Sequence, residues 1–141
     1  MKNIILLIIT AVLICCETRQ ITDERNLLIQ KVDAFKFLSK YHHELHVMIG
    51  EESGDINKAY NQFYNAVVNN GNNELLPIKN AFSRIKLVEL NPNTDSVKRL
   101  DYLVDYYQSG LSMQIEGIFR GYGYLDILNM ENVIELYDKI K

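Results

Sequence analysis

The run from Thr22 to Ile49, TDERNLLIQKVDAFKFLSKYHHELHVMI, constrains this chain more than any other stretch. Leu28, Val32, Phe35, Leu38, Leu45 and Ile49 recur at helical steps, with His42 filling the gap in the row. A second row, Leu27, Ala34, Tyr41 and Met48, widens the apolar face. A face this wide suits a helix packed against several partners, where a coiled coil would show a narrow seam. Thr22 or Asp23 is the expected cap, Asp23 and Glu24 suit the positive end of the helix dipole, and Gly50 is the expected stop.

All three histidines fall in His42-His43-Glu44-Leu45-His46. His42 and His46 stand one turn apart on a helix, a spacing at which two imidazoles can share a metal ion. The HExxH arrangement fails in both registers. From His43 the glutamate is in place but the position of the second histidine holds Val47; from His42 the glutamate position holds His43. Without a cysteine cluster, further ligands would have to come from a distant Asp or Glu. The expectation from sequence is therefore no metal and no cofactor, with His42 and His46 as the candidate ligands if an ion binds.

The chain has 141 residues, room for one domain. Lys2 precedes the apolar run Ile4 to Ile14, which is short for a bilayer span and right for the core of a secretory signal. Residues 1–18 are read as that signal, with cleavage near residues 16–19, and residues 19–141 as a single helical domain. Cys15 and Cys16 are the only cysteines, so the mature domain is expected to fold without disulfides. The rival readings of this end are a lipid anchor through Cys16 and an uncleaved membrane anchor. Leu13-Ile14-Cys15 is a poor lead-in to a lipidated cysteine, because a small residue is normal there. The expected location is extracellular, with no stable membrane insertion after signal removal.

The formal charge is −3 and the pI about 5.6, with basic residues scattered, so nucleic acid is not an expected partner. Past Gly50, four further helical segments follow. Ile56, Tyr60, Phe63 and Val67 form one face, with Ser53 or Asp55 as cap and Asn69 to Asn73 as terminator. Leu75, Ile78, Phe82, Ile85 and Val88 or Glu89 form the next, with Pro77 in the first turn. Asn91-Pro92 breaks it. Then come Val97, Leu100, Leu103, Val104 and Tyr107, which Ser109-Gly110 either ends or kinks before Leu111, Ile115, Ile118 and Phe119. The last segment runs from about Asn129 to Ile140. Gly117 and Gly121 have the small-xxx-small spacing of closely approaching helices. Neither acidic turn carries the glycine and terminal glutamate of a calcium loop. No segment alternates with period two, so the expected fold is all-α, a compact bundle of five to six amphipathic helices behind a signal peptide.

No P-loop, nucleophile elbow or paired-cysteine motif is present, so no catalysis is expected. Two functional classes remain. In the first, the chain is a small helical interaction protein that binds a host or receptor protein, as effectors and cytokines do. Its nine tyrosines supply the interface, Tyr106, Tyr107 and Tyr124 being the candidates. In the second, it carries a small hydrophobic ligand in a pocket lined by Phe35, Phe63, Phe82 and Phe119. The first is preferred, because a disulfide-free bundle of this size needs its apolar faces for its own core.

Overall fold

The computed structural model describes the backbone of residues 2–50, 55–85 and 95–121, with residues 123, 134, 135, 137 and 138, and side chains from residue 23 onward. The described residues are helical, joined by turns. They form α1 (Lys2–Gly50), α2 (Ile56–Asn69), a 3₁₀ turn (Asn73–Leu75), α3 (Leu76–Phe82) and α4 (Asp95–Gly121). Ile134, Glu135, Tyr137 and Asp138 are helical as well, within the last segment expected from sequence. Tyr124 and Cys16, named above as an interface and an anchor residue, lie outside the residues whose side chains are described.

α1 is the element the others close upon. It packs against α4, α2 and the 3₁₀ turn, while α3 bridges α2 and α4. Leu28, Val32, Ala34, Leu38 and Leu45 are buried, and Phe35, Tyr41, Met48 and Ile49 pack partly covered against the same core. Leu27, expected in the second row, is exposed. The start of α1 also differs from expectation. The helix runs unbroken from Lys2, because no Gly or Pro falls before Gly50 to force the extended residue that a cap at Thr22 or Asp23 requires. The segment read as a signal is therefore continuous with α1. Among the described residues no helix is long and apolar enough to cross a membrane.

α2 follows its sequence pattern closely. The Asp55 side chain accepts a hydrogen bond from the Lys58 backbone N–H at 3.0 Å, and Ile56, Tyr60, Phe63 and Val67 are all buried. α3 is shorter than its pattern, ending at Phe82 in a turn through Ser83 and Arg84. At Ser109-Gly110 α4 does not end: the helix is unbroken from Asp95 to Gly121. A side chain on Gly117 or Gly121 would meet nothing within 4 Å among the described residues, and both glycines are exposed. Among the described residues the small-xxx-small spacing therefore marks no close helix approach; it falls on the outer flank of α4.

The core is aromatic at its centre. Phe82 meets Phe63 edge to face at 5.0 Å and Tyr60 at 5.2 Å between ring centroids, and Tyr41 stacks on Phe63 at 5.8 Å. The C-terminal helical residues dock on α1, where the Tyr137 hydroxyl donates to Asp33 Oδ1 at 3.1 Å and Lys36 pairs with Asp138 at 2.9 Å. Lys31 ties three elements together, reaching Glu74 Oε2 at 3.2 Å and Gln114 Oε1 at 2.6 Å.

Candidate functional site

Two apolar stripes, one on α1 and one on α4, are each interrupted by a polar residue. On α1 the interruption is His42. On α4 it is Asp101, set among Val97, Leu100 and Val104 on the face that turns inward. The folding of α4 onto α1 brings the two interruptions together. His42 Nε2 lies 2.9 Å from Asp101 Oδ1, and His46 Nδ1 lies 3.0 Å from Asp101 Oδ2. A carboxylate buried alone would be costly; here each oxygen has an imidazole. Burial is graded across the three, with side-chain exposures of 12% for Asp101, 14% for His42 and 69% for His46.

Behind them stands a second layer. His42 Nδ1 is 3.2 Å from Gln108 Oε1, an oxygen that only accepts, so the imidazole N–H donates to it. Gln108 Nε2 in turn donates to Ser39 Oγ at 2.8 Å, which fixes the amide. The helical turn supplies the spacing: Ser39 and His42 stand three apart on α1, His42 and His46 four apart, and Asp101 and Gln108 two turns apart on α4. The cluster borders a pocket of about 440 Å³ that Ser39, His43, Tyr102 and Asp105 also line.

His42 and His46, the metal candidates of the sequence, are thus brought together with a third donor that sequence spacing did not name. Asp101 was legible only as a charge on the apolar face of α4.

The outer face of α4 is the second feature. Tyr102, Tyr106 and Met113 are 74%, 76% and 70% exposed. At about 100° per residue the three fall within roughly 40° of one another, opposite the buried Leu100, Val104 and Leu111. Tyr107 points away from this face and packs against the core, its ring at 6.2 Å from that of Tyr106. Of the expected interface tyrosines, Tyr106 is therefore outward and Tyr107 inward, while Tyr102 and Met113 join from outside the expected set. Phe63, Phe82 and Phe119, expected to line a ligand pocket, are fully buried in the core. Phe35 is partly buried and borders a surface groove beside His42 and Met113.

Fold and site together define a class: a small all-α protein with a histidine–carboxylate cluster in the seam between two long helices. No protein-family model, curated protein or solved structure matches the chain.

Proposed function

We propose that this protein is a small, secreted, non-catalytic interaction protein that binds a protein partner through the outer face of α4. The observation that carries the reading is the register of Tyr102, Tyr106 and Met113, three large side chains spending apolar surface on water along one line. Aromatic side chains and methionine are enriched where proteins meet, because they bury much area with few torsions to freeze. Surface grooves flank the line. Gln108 and Met113 border one, and Tyr107 and Gln114 border another of about 270 Å³, which also takes in Tyr106 and Met113. The alternative, a carrier of a small hydrophobic ligand, loses support from the packing of Phe63 against Phe82, since rings that fill a core do not line a chamber. Secretion rests on the Lys2 and Ile4–Ile14 pattern.

Replacing Tyr102, Tyr106 and Met113 together by serine tests the interface. The three side chains are exposed, so the variant is expected to keep the wild-type melting temperature. Its affinity for a partner purified on the wild-type protein should fall by about thirtyfold or more, the effect of losing one or two dominant contacts. Undiminished affinity would remove α4 as the interface. Native mass spectrometry of the secreted protein supplies the other arm: a stoichiometric small molecule that leaves on denaturation would establish the carrier instead.

A further inference from the structure

We propose that His42, His46 and Asp101 form a binding site for a divalent transition-metal ion of the zinc class. Two imidazoles and a carboxylate are the donor set such ions take, and three protein ligands leave a fourth position open. Their ligand atoms lie within 4.8 Å of one another. Tetrahedral bonds of about 2.1 Å place donors roughly 3.4 Å apart. Closing the triangle therefore asks for a small rotation of one side chain, and exposed His46 has the room to make it.

The second layer is what separates this cluster from an ordinary histidine–carboxylate pair. A metal-bound histidine characteristically donates its remaining ring N–H to a fixed acceptor, which sets the tautomer and aims the other nitrogen's lone pair. Gln108 Oε1 holds His42 Nδ1–H in that manner and is itself held by Ser39, so His42 Nε2 is the nitrogen left to face the ion. An ion at this point would be met by His42 Nε2, His46 Nδ1 and an Asp101 carboxylate oxygen, the atoms that now face one another across the seam. The fourth position opens on the pocket that Tyr102 and Asp105 line, with room for water or a ligand atom from a partner.

The test is calorimetric titration of the full-length, chelator-treated protein with Zn²⁺, paired with the visible spectrum of the Co²⁺-loaded form. One ion per chain is expected, with intense Co²⁺ ligand-field bands of a low-coordinate site. His46→Ala, at an exposed position, should keep the fold and weaken binding by about tenfold or more, and Gln108→Ala should weaken it by about tenfold through loss of the His42 acceptor. Glu44→Ala, which removes an exposed carboxylate of the same helix that does not line the pocket, should change nothing. Absence of saturable one-to-one binding would overturn the proposal and leave the cluster as a pair of His–Asp hydrogen bonds. So would equal affinity in wild type and His46→Ala, or a Glu44→Ala loss as large as that of His46→Ala.

Discussion

Tyr60 holds a hydroxyl inside the core. The residue is fully buried, and its oxygen has no hydrogen-bond partner among the described residues. Burial, and then the neighbouring Tyr64, push its pKa up from the ordinary 10.0 to about 12. The folded state thus keeps a proton that the unfolded state gives up, so stability is full below pH 10 and falls as the pH rises toward 12. The loss by the end of that window is about 2 kcal/mol, at 1.36 kcal/mol per pKa unit separating the two states. Tyr60→Phe is expected to be flat across the same range and, at neutral pH, more stable than wild type by about 1 kcal/mol, because a buried donor without a partner is removed. Denaturant melts of both proteins at intervals from pH 7 to about 12 check the two statements together. Single residues also mark the limit of what the sequence reveals. His42 and Asp101 are each visible as a polar break in an apolar row, but their meeting depends on how α4 is rotated against α1. Spacing within either helix does not encode that rotation.

Elements were legible wherever chain chemistry alone decides them. α2 has its cap, its four-residue apolar row and its asparagine stop, and folds between them. The start of α1 was not legible, because a cap acts only if the chain before it leaves the helix, and Cys16 to Ile21 contains nothing that compels this. Gly110 was ambiguous for a related reason. Glycine weakens a helix without breaking it, and here the packing of Leu111 and Ile115 on one side and Val104 on the other carries α4 across. A methyl group at Gly110 would meet nothing within 4 Å among the described residues. Gly110→Ala should therefore stabilise the protein by about 0.5–1 kcal/mol through the entropy of the unfolded chain. An unchanged or lowered melting temperature would show that α4 bends there in solution.

For the molecule as a whole, the aromatic cluster outweighs any single polar contact. Phe82 touches Phe63, Tyr60 and Tyr64, the last at 5.8 Å, and so joins α2 to α3. Phe82→Ala should cost about 3–5 kcal/mol, a large share of the roughly 5–15 kcal/mol available to a domain of this size. Equilibrium unfolding in urea measures it directly. The seam between α1 and α4 is of another kind. Its polar contacts, His42 to Asp101 and Ser39 to Gln108, join residues 59 and 69 apart in sequence, whereas Phe63 and Phe82 are near neighbours along the chain. Closing a long loop must precede any gain from the contacts it brings, so the α2–α3 cluster is placed to form first and the seam to zip last. The two regions should then divide the kinetics between them: Phe82→Ala slowing refolding, and the loss of Asp101 mainly hastening unfolding.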